Sequence, residues 1–107
     1  MIGGLHHVEL WVPDLARAGR SWRLGETYIV VEESPALTSD VHDRRRPGLN
    51  HLAFHVGDRV DSLVAAAPSH GWTLLFPDQH PYAGGPAHYA GYLVDEDGFE
   101  VELVASS

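Results

Sequence analysis

The feature that most constrains this chain is that it repeats itself. Gly4-Leu5-His6-His7-Val8-Glu9-Leu10-Trp11-Val12-Pro13-Asp14 lies without gaps over Gly48-Leu49-Asn50-His51-Leu52-Ala53-Phe54-His55-Val56-Gly57-Asp58. Five of the eleven pairs are identical (Gly, Leu, His, Val and Asp), and Val8/Leu52 and Leu10/Phe54 keep apolar character. Repeat architectures such as solenoids need three or more stacked copies, so two copies at an offset of 44 residues describe a duplicated module instead.

Each copy reads as a strand running into a helix. Val8, Leu10 and Val12 alternate with His7, Glu9 and Trp11; Leu52, Phe54 and Val56 alternate with His51, Ala53 and His55. Successive strand side chains point to opposite faces, so each strand has an aliphatic face and a histidine-bearing face. Asp14 and Asp58 follow at the position of a helix N-cap. After Asp58, the residues Val60, Leu63, Val64 and Ala67 keep helical spacing, and Pro68 and Gly71 close the element. Short strands are predicted over residues 72–76 and 88–94, a turn over Asp95-Glu96-Asp97-Gly98, and a last strand over residues 99–104. The second module is thus β-α-β-β-β.

The first module is shorter. A helix begins at Asp14, and a hairpin around Gly25-Glu26 joins residues 21–24 to 27–33. The end of the helix and one strand are missing near residues 19–21. Either the module is truly shortened there or a stretch has dropped out, and the poor stability of a helix of about six residues favours the second. The organisation predicted is a single domain over residues 1–107, with a first module 1–34, a linker 35–47 and a second module 48–107.

Composition narrows the function. A net charge of −8 argues against nucleic acid or an anionic membrane as partner, and Arg44-Arg45-Arg46 reads as a solvated linker. No apolar run approaches a membrane span and no signal-peptide pattern opens the chain, so the cytoplasm is the expected location. With no cysteine, thiolate ligands are excluded, whereas eight histidines keep imidazole metal chemistry open.

In the last strand Glu100 and Glu102 share the face opposite Val101 and Leu103. If the aliphatic faces pack on the helices, His7, His51 and one or both glutamates line the other face of a curved sheet. A carboxylate there is costly unless paired or metal-bound. Two imidazoles and a carboxylate suit one divalent ion (zinc, iron(II), manganese, nickel or cobalt) with positions open to water or substrate. His55, Glu9 and Trp11 are further pocket candidates. Tyr89, Tyr92 and Glu100 are candidate catalytic groups, and the Gly/Pro-rich residues 80–89 a candidate lid.

Taken together, Gly-Leu-His-His-Val-Glu-Leu, Gly-Leu-Asn-His-Leu-Ala-Phe and Asp-Glu-Asp-Gly-Phe-Glu-Val-Glu-Leu resemble the vicinal oxygen chelate superfamily, which includes glyoxalase I, fosfomycin-resistance transferases, extradiol dioxygenases and bleomycin-resistance proteins. The resemblance implies an α+β fold in which paired glyoxalase-like βαβββ modules form a U-shaped mixed sheet around a metal site, the first module being incomplete. It places the ligand roles on His7, His51 and Glu102. Some members add a fourth ligand from the first module; the equivalent position, counted from Gly25, is Ile29, with Glu32 a remote candidate, so three ligands are expected.

The implied activity is that of a divalent-metal-dependent lyase or isomerase, dioxygenase or transferase acting on a small substrate chelated through adjacent oxygens. The rival is a metal-free drug-binding protein of the bleomycin-resistance type, which the acidic charge and three tryptophans suit. A domain that merely kept the triad is a third possibility. A homodimer is expected.

Overall fold

The computed structural model describes residues 3–15 and 21–106. The helix expected after Asp14 falls on residues 16–20 and lies outside the described residues. Backbone contacts divide the chain into two compact units, Met1–Val41 and His42–Ser107. Among the described residues no helix is long and apolar enough to cross a membrane.

The first unit is a three-stranded mixed sheet of β1 (His7–Trp11), β2 (Ser21–Leu24) and β3 (Thr27–Glu32), in the order β1-β3-β2. β3 runs parallel to β1 and antiparallel to β2, the latter across the expected turn at Gly25-Glu26. Its Ile-Val-Val core suits a pleated surface. Register sets Val8 beside Ile29 and Leu10 beside Val31 on one face, and both β3 residues are buried. His7 beside Tyr28 and Glu9 beside Val30 occupy the other face.

The second unit carries a complete βαβββ order: β4 (His51–His55), α1 (Val60–Ala66), β5 (Thr73–Leu74), β6 (Ala90–Val94) and β7 (Glu100–Val104), in a sheet ordered β4-β7-β6-β5. β4 and β7 are parallel, β6 antiparallel to both its neighbours. The helix covers the aliphatic face: Val60 is 1% exposed, and Val60 and Val64 come down on β6 at Gly91. Asp58 is not the N-cap expected of it. The cap position falls on Arg59, whose side chain makes no capping hydrogen bond. The helix passes into a 3-10 turn, Ala67–His70, that ends before Gly71.

Both units share one plan. β1 corresponds to β4, β2 to β6 and β3 to β7, and even the hydrogen bond that follows the first strand recurs: Val12 N–H to the Glu32 carbonyl at 2.8 Å, Val56 N–H to the Val104 carbonyl at 3.0 Å. What the described residues of the first unit lack is a counterpart of the edge strand β5. The architecture is α+β with two mixed sheets, the first module incomplete.

Candidate functional site

The site of the second unit is built on Glu102, in the middle of β7 and 6% exposed. Parallel pairing places Ala53 opposite it, a small residue that leaves room for larger neighbours. His51 Nε2 approaches Oε1 to 3.0 Å, His88 Nε2 donates to Oε2, and the Tyr92 hydroxyl, on the adjoining strand opposite Glu102, donates to the same carboxylate. Burial pulls the Glu102 carboxyl upward, but the contacts with His88, His51 and Tyr92 outweigh it and hold it below the ordinary carboxylate range. Tyr92 moves the other way: burial, then the neighbouring Glu102 charge, raise its phenol above the usual value.

A second contact sets the proton on His51. Its Nδ1 lies 2.7 Å from Asn50 Oδ1, and Asn50 cannot be turned round, because its Nδ2 donates to the Arg44 carbonyl at 3.0 Å. An amide oxygen only accepts, so Nδ1 of His51 carries the hydrogen. In neutral His51, Nε2 then presents a lone pair to Glu102 Oε1, itself an acceptor. Two acceptors 3.0 Å apart need a positive species between them, either a proton on the ring or a metal ion. Ligands about 2.1 Å from one ion and at right angles to each other stand about 3.0 Å apart, so the donor chemistry and spacing of this pair fit a divalent cation.

The first unit carries a parallel arrangement. His7 opens β1 as His51 opens β4, and its Nδ1 is met at 2.8 Å by the preceding residue, His6, as that of His51 is by Asn50. His7 stacks on Tyr28, with ring centroids 5.1 Å apart. Farther along that face, Trp11 donates to Glu9 at 2.7 Å and lowers its carboxyl, while the hydrogen bond to Glu9 raises that of Glu32. The ladder corrects the residue equivalent to Glu102. Glu9 corresponds to Ala53, and β3 sets Val30 beside Glu9, so the position belongs to Val30 and not to Ile29, which points into the aliphatic face. Counting from the glycine went one residue astray because the two turns differ in length. The position is apolar either way.

Of the remaining candidates, Glu100 is buried on the site face. It lies 3.1 Å from Arg44 Nη1, off hydrogen-bond geometry, so the pairing is chiefly coulombic; its other oxygen stands 3.8 Å from His51 Nδ1. Tyr89 does not join the cluster. It precedes Ala90 and so faces the helix side, where its hydroxyl donates to Asp61. His55 shares the face of His51 but pairs with Ser106 Oγ at 2.6 Å. Among the described residues no three His, Cys, Asp or Glu side chains are arranged to hold a metal ion.

Three residues of the site are not legible in the sequence pattern. Asn50 is the repeat's mismatch with His6, and comparing what both can offer Nδ1 of the next residue is the signal that marks it. Arg44 reads as solvated linker, which holds for Arg45 and Arg46, whose side chains are 80% and 82% exposed. His88 lies in a loop outside the repeat, and no local pattern distinguishes it. That loop does reach the site: a Cβ on Gly84 would meet Tyr92 Oη at 2.5 Å and His88 Cδ2 at 2.8 Å, so bare backbone packs against both rings.

Comparison with known proteins agrees with this architecture. Residues 22–92 match the family described as Glyoxalase/Bleomycin resistance protein/Dioxygenase superfamily, and the chain belongs to it. An uncharacterised protein of Bacillus subtilis, YqjT, is 36% identical over 128 residues, covering 96% of this chain and 99% of its own. That alignment is longer than the chain's 107 residues, so the relative carries residues with no counterpart here. A candidate glyoxalase from Bacillus halodurans, known by crystal structure, has 35% identity and a TM-score of 0.83, with 97% of this chain and 96% of the other covered. The fosfomycin resistance protein FosX from Listeria monocytogenes, crystallised with Mn(II) and sulfate, shares the fold at 20% identity and a TM-score of 0.66, over 100% of this chain and 93% of its own.

Proposed function

We propose that the chain is a divalent-metal-dependent enzyme of the glyoxalase/dioxygenase type, with His7, His51 and Glu102 as ligands and a small substrate that binds through two adjacent oxygens. The observation that carries this reading is the pair of contacts at His51: Asn50 Oδ1 lies 2.7 Å from Nδ1, which calls for the ring hydrogen there, and the Nε2 lone pair then faces a carboxylate oxygen 3.0 Å away. The matching engagement of His7 Nδ1 by His6 supports the same role for His7. Mn(II) in FosX supports an ion of this kind.

Such an ion, when bound, supplies Lewis acidity that stabilises negative charge developing on the substrate oxygens. The chain's own groups do the rest. Glu102, held below the ordinary carboxylate range, stays an anionic anchor across neutral pH. Tyr92, held above the ordinary tyrosine range, keeps its proton, which it donates to Glu102 and can turn to a substrate oxygen in place of that carboxylate. Glu100, paired with Arg44, holds the negative charge behind His51 and is the candidate proton acceptor. A dimer of the chain, with a small molecule as substrate, belongs to the same reading.

A second reading, metal-free binding of a small molecule, is favoured by one observation: side chains of the chain itself meet both oxygens of Glu102. Metal analysis separates the two. Chelator-treated chain is dialysed against Mn(II), Zn(II), Fe(II), Co(II) or Ni(II) and its metal content measured. Stoichiometric uptake that Glu102→Gln abolishes is the expected result, and uptake of none of these ions overturns the proposal. A screen of α-keto aldehyde thiohemiacetals, catechols and epoxides with the loaded protein then selects the reaction.

A further inference from the structure

We infer, resting on the metal reading above, that His88 is a positioning residue that holds Glu102 to one oxygen. A carboxylate free to rotate about its last bond can offer an ion either oxygen or both. Here the plane is fixed from two sides. Oε1 faces His51 Nε2 at 3.0 Å, and Oε2 receives the Nε2 hydrogen of His88. A ring nitrogen that carries a hydrogen has no lone pair for an ion, so His88 donates to the carboxylate and does not itself ligate.

The setting of His88 supports this division of labour. Its side chain is 40% exposed while that of Glu102 is 8% exposed, so a half-exposed ring meets a buried carboxylate. It reaches there because the loop before β6 closes tightly: the His88 N–H bonds the Gly85 carbonyl at 3.1 Å, and Gly84 lies against the His88 ring. Tyr92 also donates to Glu102 and, like His88, is in close contact with Gly84. One loop therefore seats two donors on the carboxylate, and Oε1 remains the oxygen turned to His51. Hydrogen-bonded partners of ligating groups typically change metal affinity by about 10–100-fold when removed.

The test uses the full chain loaded with Co(II), whose visible absorption reports ligand identity and geometry, together with its dissociation constant and thermal unfolding. Because the ring is half exposed, His88→Ala should leave the fold intact. The expected result is Co(II) binding weakened about 10–100-fold with an altered absorption band, and recovery of most of both in His88→Gln, whose amide offers a hydrogen to Oε2. Should His88→Ala not fold, His88→Gln decides alone: a wild-type band with less than about tenfold weakening supports the inference, and a larger loss overturns it. Unchanged affinity and band in His88→Ala overturn the inference alone. A glutamine variant as impaired as the alanine one also overturns it, by marking His88 as a ligand. A wild-type chain that binds no Co(II) overturns the metal reading and this inference with it.

Discussion

His51 and Glu102 are 51 residues apart in the chain and are not opposite one another in the sheet, yet Nε2 of the first lies 3.0 Å from Oε1 of the second. Pairing sets His51 beside Glu100, so the contact is a diagonal one across the parallel strands β4 and β7. Ala53 makes it possible, since a larger side chain there would stand between them.

The Asn50 contact makes the metal reading testable away from the ligands. Asn50→Ala removes the acceptor on His51 Nδ1 and frees the ring to carry its hydrogen on either nitrogen. Metal affinity should fall about 10–100-fold, measured by titration with Co(II) or Mn(II), while His51→Ala should lose more. Equal affinity in Asn50→Ala and the unaltered chain would show that the tautomer is set by something else.

Arg44 neutralises a buried carboxylate, and its removal should cost stability. The Glu100 side chain is 3% exposed and that of Arg44 26%, so Arg44→Leu should destabilise by about 2 kcal/mol, below the roughly 3–5 kcal/mol of a fully buried pair. Glu100→Gln added to Arg44→Leu should restore most of the loss, because the stranded charge is gone. Denaturant unfolding of the two variants decides; an additive double variant sinks the idea.

The turn between β6 and β7 admits no side chain at Gly98. Its φ is +90°, and a Cβ would stand 2.0 Å from the His42 carbonyl oxygen, while Asp95 Oδ1 accepts the Asp97 and Phe99 N–H groups at 3.0 and 2.9 Å. His42 cannot retreat easily, since its own N–H bonds the Asp97 carbonyl at 2.9 Å and its ring stacks on Phe99. Gly98→Ala should cost upwards of about 3 kcal/mol from strain and steric overlap together. A melting temperature within a degree or two of the unaltered chain would contradict this.

Alkaline titration should single out Tyr92 and Tyr89. Burial raises the first, and the hydrogen bond to Asp61 is the largest cause for the second. A raised folded pKa means the unfolded chain releases its proton first. The stability these groups contribute is present below an ordinary tyrosine's pKa of about 10 and lost as pH rises through the folded values. Ultraviolet titration should show a late-ionising component that shrinks in Tyr92→Phe and again in Tyr89→Phe. A single transition at the ordinary value is the contrary result.

What the sequence determined alone is whatever depends on alternation and local turn chemistry. The match of residues 4–14 to 48–58 identified the duplication; parity put His51, Glu100 and Glu102 on one face and Val101 and Leu103 on the other. Hairpin and helix followed from Gly25-Glu26 and from the spacing of Val60, Leu63 and Val64, to within a residue or two. The tertiary structure decided what depends on register and on loops. Asp58 was displaced as cap by Arg59, Tyr89 fell on the helix side, and Val30 replaced Ile29 as the first-unit position equivalent to Glu102. Asn50, Arg44 and His88 came to the site through contacts that no period encodes. Periodicity fixes which face a side chain takes, but only the folded path of the chain decides which distant groups meet there.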